Sequence, residues 1–153
     1  MEKILISACL YGEKVRYDAD HCLMKDDLFQ RWKDEGRFIP ICPEMAGGLP
    51  APRPPCECDP KSGKIVDKDG MDYSDAFKSG AQIALALAQE HKIRFALLKE
   101  RSPSCGVHMI YDGTFTSQKI AGSGLTTKLL KDHGLQVFSE FDLDRLKSVL
   151  DMV

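Results

Sequence analysis

Residues 93–98, with the sequence IRFALL, are an almost unbroken apolar run. Such a run is typical of a β-strand that is covered on both faces of a parallel sheet. Working outward from it, short apolar segments at residues 4–8, 38–41 and 135–138 predict three more strands. Pro40 favours a place at the sheet edge for its strand, because proline has no backbone N–H to donate to a neighbour.

Segments with helical character separate the predicted strands. They cover residues 23–35, 73–91, 123–133 and 142–152, and the second has an apolar face that repeats at helical spacing: Phe77, Ala81, Ala84, Leu85 and Ala88. Strands that alternate with helices imply right-handed crossovers and a mostly parallel sheet. We therefore predict one α/β domain over residues 1–153, with a Rossmann-like sheet and helices on both faces.

A stretch rich in proline and glycine interrupts this alternation between residues 42 and 64. It contains six of the eight prolines in the chain, and residues 65–66 after it predict a small strand. Long loops inside compact domains are uncommon and are usually functional or disordered. We expect this one to be an active-site loop, because it is stiff and directly follows a strand.

Composition excludes several classes of function. The chain has 153 residues, with 21 Lys and Arg against 23 Asp and Glu, a formal net charge of −2. A general binder of nucleic-acid polymers would carry a basic excess. No apolar run approaches the roughly 20 residues that cross a bilayer, and the first residues lack the apolar region of a signal peptide. We expect a cytoplasmic protein that binds neither nucleic-acid polymers nor membranes.

Six cysteines stand out in such a chain: Cys9, Cys22, Cys42, Cys56, Cys58 and Cys105. In the cytosol thiols stay reduced, and clustered cysteines more often serve metal binding or catalysis than disulfides. Ligands of open parallel sheets bind outside the carboxyl ends of the strands. Cys9, Cys42 and Cys105 each follow a predicted strand, whereas the other three have no assigned role. The three strand-end thiols could be core residues, a zinc site or ligands of an iron–sulfur cluster.

Polar residues near these cysteines are candidates for catalysis and substrate binding. Glu44 lies two residues after Cys42, where a carboxyl group could act as general acid or base. Ser102 and Ser104 flank Pro103 before Cys105, and their hydroxyls could bind a polar substrate or serve only in a turn. Asp18 could orient a ligand or pair with Arg16 on the surface.

Seven short motifs occur in order along almost the whole chain: SACL at 7–10, RYD at 16–18, CPE at 42–44, GGLP at 47–50, PRPP at 52–55, KERSPSCG at 99–106 and YDGTF at 111–115. With this ordered set the chain closely resembles the bacterial thiouracil desulfidase family. The resemblance implies a [4Fe-4S] cluster held by Cys9, Cys42 and Cys105, with catalysis by Glu44 and Ser102. It also implies conversion of 2- or 4-thiouracil to uracil with release of sulfide.

The implied chemistry suits an iron site with one open position. A thiocarbonyl sulfur is soft and favours iron–sulfur coordination over a hard, oxygen-preferring metal. Water replaces sulfur at the same oxidation level, so we expect no external electron donor. Ser104 and Asp18 are then predicted to bind the small thionated pyrimidine. A homodimer is an open expectation.

Other functions remain open from the residues. A zinc–thiolate protein could use the same cysteines for hydrolysis or structure. A non-catalytic module could carry or sense a cluster without turning over a substrate. An enzyme of the same kind could instead act on a thionated nucleoside or nucleotide.

Overall fold

The computed structural model describes residues 1–153. In chain order its elements are β1 (Ile4–Ser7), α1 (Ala8–Tyr11), α2 (Asp27–Asp34), β2 (Phe38–Ile41), α3 (Pro43–Ala46), β3 (Glu57–Cys58), β4 (Ile65–Val66), α4 (Ser74–Glu90), β5 (Phe95–Leu98), β6 (Met109–Tyr111), β7 (Lys119–Ala121), α5 (Leu125–Asp132), β8 (Gln136–Ser139) and α6 (Leu143–Asp151). No helix is both long and apolar enough to span a membrane.

The central sheet has four strands in the order β2-β1-β5-β8. All three neighbouring pairs are parallel, with Ile4 of β1 opposite Phe38 of β2 and Phe95 of β5. The predicted parallel α/β fold is therefore confirmed. Pro40 lies in β2, an edge strand of this sheet, as its missing N–H requires.

Two hydrophobic cores cover the two faces of the sheet. Alternate residues of each strand point to opposite faces, so Ile4 and Ile6 pack in one core while Leu5 packs in the other. The first core receives apolar side chains from α2 and α6, and the second receives them from α4 and α5. Helices on both faces follow from this division.

The sequence analysis did not predict several short elements. The proline-rich stretch contains α3 and β3 as well as loop, and α1 continues directly from β1. β3 pairs with β4, and β6 pairs with β7, in two antiparallel hairpins outside the central sheet. Four-residue helices and two- or three-residue strands are too short to show a hydrophobic period.

Two glycines let α3 lie directly against α4. A Cβ atom on Gly80 of α4 would collide with the carbonyl of Pro43, and one on Gly47 would collide with the carbonyl of Ala76. Close backbone approach of this kind requires glycine. The contact fixes the start of α3, where Cys42 and Glu44 lie.

Candidate active site

A cavity of about 600 Å³ opens outside the carboxyl ends of β1, β2 and β5. The chain runs from β1 to β2 on one side and from β5 to β8 on the other, so the strand order reverses between β1 and β5. In open α/β sheets this reversal is where ligands bind. The position of the cavity therefore marks it as the candidate active site.

Three cysteines line the cavity from three adjacent strands. Cys9 lies in the first turn of α1 directly after β1, and Cys42 directly precedes α3 after β2. Cys105 lies in the turn that follows β5. Because β2, β1 and β5 are neighbours in the sheet, the three thiols reach one space.

The environment of these thiols opposes their ionisation. Burial, together with the neighbouring thiols Cys22 and Cys42, raises the pKa of Cys9 to about 12. Burial also raises the pKa of Cys42 and of Cys105, although a hydrogen bond to Ser7 acts in the opposite direction at Cys105. Thiolates at these positions need a nearby positive charge, of the kind that a metal centre supplies.

Two kinds of metal centre make different demands on the spacing of their ligands. No three His, Cys, Asp or Glu side chains lie close enough together to hold a single metal ion. A mononuclear zinc site would require such a group, with each sulfur about 2.3 Å from the ion. In a [4Fe-4S] cluster each thiolate binds a different iron, so the ligands stand further apart. Three thiols that reach one cavity from separate strands are the kind of donor set that binds such a cluster.

Glu44 lies beside this thiol group and is held by Arg53. Both Nε and Nη2 of Arg53 bond to Oε2 of Glu44, at 2.7 and 2.5 Å, and both side chains are largely buried. Nη2 of Arg53 also lies 4.0 Å from Sγ of Cys42. Oε1 of Glu44 remains for other partners, with the Ser102 hydroxyl 3.5 Å away.

Ser102 organises the turn that carries Cys105. Its Oγ accepts the backbone N–H groups of Ser104 at 3.0 Å and Cys105 at 3.1 Å. Because the oxygen serves as acceptor for these two bonds, the hydroxyl hydrogen is free to donate to Glu44 or to a ligand. Ser102 therefore links the turn that carries Cys105 to the carboxylate of Glu44.

Glu100 fixes the segment that follows this turn. Its Oε1 accepts the backbone N–H groups of Val107 at 2.7 Å, His108 at 2.8 Å and Met109 at 3.0 Å. Burial would raise the pKa of Glu100, but these hydrogen bonds outweigh it and hold the pKa below the ordinary value. The ionised carboxylate is thus part of the local fold.

Two predicted substrate contacts lie elsewhere. Ser104 is 1% exposed, and its hydroxyl is paired with that of Thr126 at 2.8 Å, away from the residues that line the cavity. Asp18 is also outside the lining and forms an ion pair with Arg16 at 3.5 Å. Arg16 does line the cavity. The buried position of Ser104 argues against its direct contact with the substrate. Asp18 can act on a substrate only through Arg16.

Other residues of the site were missed by sequence reasoning. Cys22 and Cys56 line the cavity, whereas Cys58 does not. Nη1 of Arg16 lies 3.1 Å from Sγ of Cys22, whose backbone N–H bonds to the carbonyl of Cys9. Ser7 also lines the cavity, and its position at the end of β1 could have revealed it. No local sequence pattern indicates that Cys22 or Cys56 lies at the cavity.

Fold and cavity together define an α/β protein with a thiol-lined site at the strand-order reversal of a parallel sheet. The model of the 2-thiouracil desulfurase family matches residues 4–142. The chain therefore belongs to this family.

The chain is similar to two other proteins over almost its whole length. A solved structure described as a [4Fe-4S]-dependent thiouracil desulfidase, TudS, superposes with a TM-score of 0.96 at 47% sequence identity, over 100% of both chains. The Bacillus subtilis (strain 168) protein YbbK, described as uncharacterized, is 40% identical over 149 residues, which cover 92% of this chain and 97% of YbbK.

Proposed function

We propose that this protein is a thiouracil desulfidase that uses a [4Fe-4S] cluster. Membership of the 2-thiouracil desulfurase family and the similarity to TudS support the activity and the cofactor. The observation that carries the proposal is the arrival of Cys9, Cys42 and Cys105 at one cavity from three adjacent strands. We assign these three thiols as the cluster ligands.

Three cysteine ligands leave one iron of a four-iron cluster without a protein ligand. When bound, the cluster would supply an iron with affinity for soft sulfur, able to act as a Lewis acid on the carbon–sulfur bond. The protein must then deliver water to the carbon and manage the protons. Glu44 and Ser102 lie beside the thiols for this purpose.

Glu44 is the proposed general base. Arg53 occupies Oε2, so Oε1 is the oxygen that can take a proton from the attacking water. Ser102 is the proposed hydrogen-bond donor to a carbonyl or ring nitrogen of the substrate, because its oxygen already accepts two backbone N–H groups. The two side chains approach to 3.5 Å, so they can act on the same ring.

The reaction balances without an electron donor. Water adds its oxygen to the thiocarbonyl carbon, the carbon–sulfur bond breaks, and sulfur leaves as sulfide with the protons of that water. The carbon keeps its oxidation level, so neither uracil formation nor sulfide release consumes electrons. A strict need for reductant throughout turnover would contradict this scheme.

The decisive experiment begins with protein purified without oxygen. We expect a brown protein with iron and acid-labile sulfide near four of each per chain, which releases sulfide from 2-thiouracil or 4-thiouracil. Colourless protein containing zinc would overturn the cluster assignment. An intact cluster without sulfide release would favour the non-catalytic alternative.

Partners and location form the remaining part of the proposal. The substrate is a small thionated pyrimidine rather than a nucleic-acid polymer or a membrane, in keeping with the net charge of −2. None of the six cysteines is paired in a disulfide, which suits a reducing cytoplasm. Light scattering on the purified protein tests whether it forms a homodimer.

A further inference from the structure

The carboxylate of Glu57 anchors a loop beside the cavity. Glu57 lies in β3 and is only 9% exposed, and the chemistry proposed above does not use it. Its Oε1 accepts the backbone N–H of Gly113 at 2.9 Å and that of Phe115 at 3.2 Å. Both residues lie in the loop between β6 and β7, so one buried carboxylate ties this loop to β3.

The backbone of the loop is held in an uncommon conformation. Phe115 and Ser117 have φ angles of 59° and 61°, in the left-handed region that non-glycine residues rarely adopt. Residues persist there only where the surrounding structure holds them, often at ligand sites. A Cβ atom on Gly113 would come within 2.8 Å of the Cys58 carbonyl, so the loop packs tightly against β3.

The result of this anchoring is an aromatic residue at the proposed active site. Phe115 lines the same cavity as Cys9, Cys42 and Glu44. Ligand sites combine apolar and aromatic walls with a few polar groups that fix orientation. Glu44 and Ser102 supply polar groups, and Phe115 supplies an aromatic surface of the kind that stacks on nucleobases.

We propose that Phe115 is a substrate-binding residue that stacks on the pyrimidine ring, and that Glu57 is the positioning residue that holds it there. This inference rests on the proposed function, because it names how the same site holds its thiouracil ring. The YDGTF motif at residues 111–115 then has a physical role. Its glycine allows the close approach to β3, and its phenylalanine contacts the substrate.

Binding of the product, uracil, tests Phe115 independently of turnover. For Phe115→Ala in the cluster-containing protein, we expect the uracil dissociation constant from calorimetry to rise roughly 5- to 150-fold, the range of base–aromatic stacking. The KM for 2-thiouracil should rise by a similar factor while kcat falls by less. Phe115→Tyr should restore binding. Phe141→Ala removes an exposed aromatic residue outside the cavity and serves as the control.

Glu57→Gln tests the positioning role. We expect faster hydrogen exchange at the amides of Gly113 and Phe115, and a higher KM for 2-thiouracil. Adding Glu57→Gln to Phe115→Ala should raise KM little further, because Glu57 acts through Phe115. Asp59→Asn is the control, since the carboxylate of Asp59 accepts hydrogen bonds only within its own turn, from Lys61 and Ser62.

The outcomes separate this inference from the proposed function. Wild-type protein that binds uracil through Phe115 but releases no sulfide would contradict the desulfidase activity alone. Active wild-type protein whose uracil affinity survives Phe115→Ala, or that binds no uracil, would overturn the stacking role. Faster amide exchange in Glu57→Gln with an unchanged KM would show that Glu57 stabilises the loop but does not position Phe115 for substrate binding.

Discussion

Arg53 holds the carboxylate of Glu44 through one oxygen only. Two guanidinium nitrogens, Nε and Nη2, converge on Oε2 at 2.7 and 2.5 Å, while Oε1 is left near Ser102. Side-chain exposure is 6% for Arg53 and 14% for Glu44, so water screens the pair weakly. One oxygen is thus fixed and the other stays available for proton transfer.

We predict that Glu44→Gln keeps the cluster and loses turnover. An amide has nearly the same size and can still accept from Arg53, but it cannot act as a base. Sulfide release should fall roughly 100-fold or more, the usual contribution of a general base. Iron content and the visible spectrum should match the wild type. Glu35→Gln, at an exposed glutamate paired with Arg37, is the matched control. An unchanged rate would remove Glu44 from the mechanism.

We predict that Arg53→Lys lowers turnover while the iron content stays the same. A lysine keeps the charge but cannot place two N–H groups on one oxygen, so Glu44 would lose its fixed orientation. Misplacement of a reacting group by about 1 Å can cost roughly 100-fold, and we expect a fall of about 10- to 100-fold. Arg37→Lys, at a surface ion pair, provides the control. Wild-type kcat in Arg53→Lys would show that the charge alone suffices.

We predict that serine substitutions divide the six cysteines into two groups. Replacement of Cys9, Cys42 or Cys105 should abolish both the cluster and the activity, because a hydroxyl is a poor substitute for thiolate. Replacement of Cys22, Cys56 or Cys58 should leave iron and acid-labile sulfide unchanged. Cys22 and Cys56 are the stringent cases, since both line the cavity. Iron loss in either of them would break the ligand assignment.

We predict that Glu100→Gln destabilises the protein at neutral pH by about 1–2 kcal/mol, because hydrogen bonds to an ionised group are stronger than those to a neutral one. The pKa of Glu100 is lowered on folding. Its carboxylate therefore stabilises the fold above the unfolded-state pKa, and this contribution is lost as the pH falls through the folded-state pKa.

Urea denaturation of the cluster-containing protein at several pH values measures this effect. The difference in unfolding free energy between wild type and Glu100→Gln should be largest near pH 7 and shrink in acid. Glu90→Gln, at the exposed end of α4, is the control. A difference that does not change with pH would contradict the role assigned to the ionised carboxylate.

Sequence patterns predicted the central sheet well because their signals are local. The apolar run that predicts β5 and the helical repeat that predicts α4 are each contained in one short segment, and both elements are present. α1, α3, β3, β6 and β7 were not predicted because they are short and depend on contacts with other segments, whereas β4 was predicted as a small strand at residues 65–66. The start of α3, for example, is fixed by Gly80 of α4.

The candidate site was predictable in part for the same reason. Position after a strand selected Cys9, Cys42 and Cys105, and proximity to Cys42 selected Glu44; all four line the cavity. Position next to Cys105 does not tell which way Ser104 faces, because nearby residues in a turn can face opposite ways. Ser104 points to Thr126, whereas Ser102 faces Glu44.

By itself the sequence determined a parallel α/β domain with a cysteine after each of three strands, since apolar period and strand ends are properties of short segments. Only the tertiary structure decided that these strands are neighbours, in the order β2-β1-β5, so that the thiols share one cavity. It also decided the pairs Arg53–Glu44 and Glu57–Phe115. Such pairs form between distant segments only when packing and chain crossovers bring those segments together. A local sequence pattern therefore cannot predict them.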